Sequence, residues 1–180
     1  MAAVRQLLAE GRFHESTVDE VADRAGIARA TLYQHFRSRL ELVDAICDTF
    51  AVNPALLELR GVVEHPDADA AVTETISNTV KFWASEDAVL SQLYGVAAID
   101  PAAQDLVARQ RSDRSGEMQR LARNLRASRR LPKGTSERRA VALLLVLTSY
   151  ETFRELRQAG LSERDVVKTL QESGRKLLLA

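Results

Sequence analysis

One cysteine in 180 residues excludes a disulfide within the chain and suits a reducing cytoplasm. Metal-ligand spacing is missing too. His14, His35 and His65 sit in separate segments, and no HExxH, ExxH or CxxC occurs. Glu10 and His14 share a helical spacing, but one such pair is common by chance. No glycine-rich phosphate loop or nucleophile elbow appears, so the chain offers no catalytic constellation and is not expected to be an enzyme or to carry a cofactor or metal. The longest apolar run, Ala140 to Leu147, is far too short to span a bilayer. The opening MAAVRQLLAEGRF lacks the apolar stretch and cleavage site of a signal peptide, so the chain is expected to stay in the cytoplasm. Aromatic residues make up only 5% of the chain, which makes their positions informative.

What is present is ordinary in amount and uneven in placement. Hydrophobic residues at 46% and charged residues at 28% argue for one globular domain, or a small head on a larger body, and against disorder. The net charge of +0 conceals a segregation. Residues 24–40 hold Arg24, Arg29, Arg37 and Arg39 with no acid. Residues 51–108 carry two basic and nine acidic side chains, net −7, and residues 109–139 eleven basic and three acidic, net +8. Within that last segment Met118, Leu121, Ala122 and Leu125 form the apolar face of a helix. Arg120, Arg123 and Arg126 then read as a solvated or salt-bridged stripe, with the acidic block as counter-charge.

Apolar periodicity predicts helix nearly throughout, and no window alternates as a strand would. Expected helices follow Val4 to Gly11, Thr17 to Ala25, Ala28 to Phe36 and Ser38 to Phe50, the last closed by Asn53-Pro54. Thr17 with Glu20, and Ser38 with Glu41, are capping boxes, and Gly26 reads as a left-handed C-cap. After a looser stretch to His65-Pro66, a fifth helix carries Val72 to Trp83 and a sixth, capped by Ser85, carries Val89 to Tyr94. A seventh starts at Asp100-Pro101 and runs to about Arg130, with a bend expected at Gly116. An eighth spans roughly Ser136 to Gln158, and a ninth begins at Ser162. The expected fold is all-α with about nine helices: a three-helix head over residues 1–48 and a helical body over 49–180. Cys47, on the apolar side of the fourth helix, reads as a small core residue.

Two helices joined by the Gly26 turn form a helix-turn-helix, whose second helix can enter a DNA major groove. Leu32 and Phe36, one turn apart, can anchor it inward, leaving Arg29, Ala30, Tyr33 and Gln34 outside. Arg and Gln read base edges with paired hydrogen bonds, and Ala30 can meet a thymine methyl. Thr31, Tyr33, His35 and Arg39 carry donors suited to phosphate oxygens. A bundle helix with a solvated polar face is the bland alternative.

The stretch STVDEVADRAGIARATLYQHFRSRLELVDAI, Ser16 to Ile46, closely resembles the DNA-binding head of TetR-family transcriptional regulators. The resemblance implies a capping Thr17, counted here with the DNA-contacting set, the Ala25-Gly26-Ile27 turn, the Thr31-Leu32-Tyr33 core of the recognition helix, then His35-Phe36 and Leu42. Three departures matter. Ala28 stands where the family often has a serine N-cap, and Arg39 where it usually has a lysine. The resemblance also implies a longer first helix, often behind a basic arm, so weaker binding is one expectation and a different natural start another.

By that resemblance the chain is expected to be a ligand-responsive regulator, a repressor, binding a palindromic double-stranded operator as a homodimer. The alternative is a helical small-molecule binding protein whose head does not read DNA. The apolar expected eighth helix needs cover on more than one side, so a two-fold interface built from it and the ninth is expected. Phe82, Trp83, Tyr94, Met118, Tyr150 and Phe153 gather on the body helices and form either ordinary core or a pocket for a small, largely apolar effector.

Overall fold

The computed structural model describes residues 1–13 and 15–180; His14 and its spacing to Glu10 lie outside the described residues. Those residues form helices and no strands: α1 Ala2–Ala9, α2 Val18–Ala25, α3 Arg29–His35, α4 Arg39–Phe50, α5 Pro54–Val62, α6 Ala68–Ala97, α7 Pro101–Ala127, α8 Glu137–Leu147, α9 Tyr150–Gln158 and α10 Glu163–Leu178. The all-α expectation holds, with different joints.

Asn53-Pro54, read as a stop, is also a start. The Asn53 side chain accepts from the Ala55 N–H at 3.0 Å and Pro54 occupies the first helical position, giving α5 where a looser stretch was expected. Ser85 does not open a new helix. Its hydroxyl donates to the Phe82 carbonyl at 2.9 Å inside a continuous α6, so the expected fifth and sixth helices are one. The expected eighth helix breaks in two at Thr148-Ser149. Ser149 caps α9, accepting from the Thr152 N–H at 3.0 Å, while Trp83 Nε1–H donates to the Thr148 carbonyl at 3.1 Å and Arg114 to that of Leu145 at 2.9 Å. Carbonyls that the break would orphan are thereby satisfied. Gly116 lies within an unbroken α7, which stops at Ala127 as Arg129 adopts φ 57 and the Arg130 N–H bonds back to Leu125 at 2.9 Å.

The chain divides into two compact units, residues 1–52 with 86–110, and residues 53–85 with 111–180. α6 and α7 each contribute to both units. In the first unit Leu7, Leu8, Leu42, Ile46, Leu90 and Leu93 are fully buried. Arg5 fixes α1 against the rest of this unit, donating to buried Glu86 at 2.5 Å and to Thr49 at 2.6 Å, and lying 5.8 Å from the Phe50 ring centroid. Arg109 pairs with Asp44 at 2.6 Å. Cys47 is half-buried rather than core, and desolvation first, with the Asp44 charge next, pushes its thiol up to about 12.

The second unit packs around Ile76, Met118, Leu121, Leu125, Leu144 and Leu178. Gly174 lets α10 approach α6: a Cβ there would stand 2.8 Å from Ile76 Cδ1 and 3.0 Å from Val72 Cγ1. In the arginine stripe of α7, Arg120 pairs with Glu117 and Glu64, and Arg126 with Glu137 at 3.8 Å; of these acids only Glu64 comes from the acidic block expected to supply them.

Candidate nucleic-acid interface

The candidate surface begins with a well-specified helix. Thr17 accepts from the Glu20 N–H at 3.1 Å, Asp19 and Glu20 suit the positive end of α2, and Val21 and Ala22 are buried. Gly26 turns the chain at φ 66, ψ 30, a left-handed conformation costly for other residues, and the Ile27 N–H reaches back to the Ala22 carbonyl at 3.1 Å.

α3 is built differently. Ala28 precedes it with no side-chain cap, and seven residues are too few for a stable helix in isolation. Packing against α2 must hold it, and Leu32 is its one buried side chain. Burying a leucine contributes roughly 1.5–3 kcal/mol, most of what anchors this helix. Phe36, the second expected anchor, is only half-buried. Arg29, Ala30, Thr31, Tyr33, Gln34 and His35 are all exposed, Tyr33 at 49%. Ser38 then caps α4, accepting from the Glu41 N–H at 3.2 Å, while the Glu41 carboxylate accepts from the Arg37 N–H at 2.7 Å.

The acid-free window at 24–40 is not a free positive patch, because acids from outside it reach in. Arg24 donates to both Glu10 oxygens at 2.9 Å, a bond that holds the Glu10 carboxyl below and the Arg24 guanidinium above their ordinary values. Arg29 Nη1 donates to Asp19 at 2.9 Å, with Nη2 at 3.5 Å from Asp23. Arg39 donates to the backbone carbonyls of Ser16 at 3.1 Å and Phe13 at 3.4 Å. Three of the four arginines thus hold the head's own elements. Charge counting within a window missed this. Glu10 and Arg24, 14 residues apart, carry no local signal, whereas Asp19 and Asp23 one turn apart on α2 did offer one.

Residues 1–46 match the family described as bacterial regulatory proteins, tetR family. These 46 residues carry the head of the TetR family. Over 46 residues the chain is 41% identical to the HTH-type transcriptional activator FasR of Mycolicibacterium smegmatis, covering 26% of this chain and 21% of that protein. The match thus spans about a fifth of that curated relative's length. Solved structures are alike over nearly the whole chain at low identity. A TetR/AcrR-family transcriptional regulator from Thermobifida fusca has a TM-score of 0.73 and 20% identity, over 96% of this chain and 92% of that one. The SmeT–triclosan complex has a TM-score of 0.74 and 16% identity, over 99% and 88%; SmeT is the repressor of a Stenotrophomonas maltophilia multidrug efflux pump.

Outside the TetR-family head, the second unit brings four of the candidate ligand residues into one cluster. Phe82 and Trp83 ring centroids lie 4.8 Å apart, Trp83 and Tyr150 5.5 Å, and Tyr150 and Phe153 6.2 Å. All four are buried, as is Met118 in the same unit. Tyr94 belongs to the first unit and is half-buried. The indole N–H is already engaged by Thr148. One buried hydroxyl nearby in sequence, Thr75 Oγ1 on α6, has no hydrogen-bond partner among the described residues. Sequence reasoning missed it because a threonine in a helix usually bonds back to its own turn.

Proposed function

We propose that this chain is a TetR-family DNA-binding transcriptional regulator, a repressor released by a small, largely apolar effector, acting as a homodimer on a palindromic operator. The observation that carries the reading is α3, a helix exposing Arg29, Ala30, Thr31, Tyr33, Gln34 and His35 while anchored by Leu32. A helix that buries so little does little for folding, and its outward residues have the chemistry of groove and phosphate contact. Arg29 and Gln34 read bases; Tyr33, Thr31 and His35 meet phosphates. Arg39, occupied with Ser16 and Phe13 carbonyls, also orients the loop before α2.

Support for a second copy comes from the second unit, where Val146 on α8 is 61% exposed and Leu177 on α10 is 45% exposed. A two-fold interface through α8, α9 and α10 covers them and sets two recognition helices about 34 Å apart, one turn of DNA. Support for the effector comes from the Phe82–Trp83–Tyr150–Phe153 cluster. The effector acts by favouring one spacing of the heads over another. The lever is α4, the last helix before the chain passes into the second unit. The absent cap at Ala28 favours the second reading, a binding protein whose head does not read DNA. An anisotropy titration separates the two: salt-sensitive, sequence-selective binding supports the regulator, and weak binding equal for all sequences supports the alternative.

A further inference from the structure

Arg29 starts the recognition helix, and two acids of the preceding helix hold it. Asp19 and Asp23 stand one turn apart on α2, a like-charge spacing that works against a helix. Arg29 divides its two terminal nitrogens between them, Nη1 at 2.9 Å from Asp19 Oδ2 and Nη2 at 3.5 Å from Asp23 Oδ2. Side-chain exposures of 59%, 38% and 65% make this a wet bridge, of the kind that adds little to stability. The contrast with Arg24 is informative: that guanidinium is 26% exposed and grips both oxygens of Glu10. The Arg24 pair is the better sheltered and tighter of the two, and the Arg29 bridge the looser. Two exposed carboxylates beside a surface that approaches phosphates also oppose binding.

We infer that Asp19 and Asp23 form a discrimination clamp on Arg29, keeping it from phosphates and yielding it only to a base edge with paired acceptors, such as guanine O6 and N7. This rests on the reading of α3 as the DNA-reading helix. The guanidinium carries five N–H donors, so it keeps donors to spare while it is held. On arbitrary duplex a phosphate also offers paired oxygens, but it is anionic and the two carboxylates repel it, whereas a base edge is neutral. On the right site, a bidentate contact replaces the bridge. The acids are therefore specificity residues, and their removal lowers selectivity rather than affinity.

The test uses the full chain, a duplex that the wild type selects from a random library, and a scrambled duplex of equal length. Anisotropy titrations across a salt series compare wild type, Asp19→Asn, Asp23→Asn and the double variant, with circular dichroism checking the fold. For the double variant, scrambled-duplex affinity should rise about threefold to fivefold. Its log–log salt slope should steepen by about 0.9 as one more cation meets phosphate. Affinity for the selected duplex should change less than about twofold, so the selectivity ratio falls. Asp19→Glu, which keeps the charge, should retain the ratio. Equal changes on both duplexes, or none on either, would overturn the clamp while leaving the reading of α3 in place. A wild type that selects no sequence would overturn both.

Discussion

The exposed face of α3 and the aromatic cluster of the second unit are both candidate sites, and they are built on opposite terms. α3 buries one side chain, lacks an N-cap and turns its chemistry outward. The cluster buries Phe82, Trp83, Tyr150 and Phe153 and already satisfies the indole N–H. A polymer partner can be met by side chains that folding does not need, whereas a small ligand must share side chains with the core. Substitutions should therefore separate the regions cleanly: those on α3 altering recognition at constant stability, those in the cluster altering stability first.

The sharpest test of that separation is Trp83→Ala, which removes a buried indole and frees the Thr148 carbonyl at the α8–α9 break. It should cost about 3–5 kcal/mol in denaturant unfolding. A loss below about 1 kcal/mol would mean that the cluster is not load-carrying core. Next in size is Gly174→Val, whose side chain would meet Ile76 and Val72 at close range; overpacking should cost about 1–3 kcal/mol and lower the melting temperature. Ala28→Ser should do the reverse on the other region, stabilising the head by about 1 kcal/mol through the missing cap. A gain of that size that leaves base preference unchanged would show that the cap serves folding rather than reading.

The smallest effect is electrostatic. The Arg175 hydrogen bond at 2.7 Å holds the Asp69 carboxyl below its ordinary value of 3.8. A lowered folded pKa gives stability that is present above the unfolded value and lost as the pH falls through the folded one. The pair is nearly half exposed, so Asp69→Asn should cost less than about 1 kcal/mol at neutral pH. The gap between variant and wild type should close as the pH drops below about 4. A gap that stays constant to low pH would assign the effect to packing.

Much of this was legible because short polar residues act locally. Thr17, Ser38, Ser136 and Ser162 cap the helices at which they were read, and Gly26 takes the left-handed turn. The joints were harder because the same residue types serve two ends. Asn53-Pro54 stops one helix and starts another, and Ser85 bonds back to its own turn instead of capping. The break at Thr148 has one local mark, the Ser149 cap, and is otherwise held by Trp83 and Arg114, which reach it from α6 and α7. The exposed face of α3 followed from Leu32 and helical spacing. The partners of its arginines did not, because Glu10 comes from a different helix and the carbonyls of Phe13 and Ser16 from a loop.

The proposal that α3 reads DNA rests on Arg29 and Gln34, both exposed on that helix. Its most direct test is the base preference of wild type, Arg29→Ala and Gln34→Ala, each selected from the same random duplex library and titrated at several salt concentrations. Wild type should select a salt-sensitive palindromic site, and each variant should relax the preference at one symmetric position with the fold unchanged. An unchanged preference and affinity in both variants would contradict it.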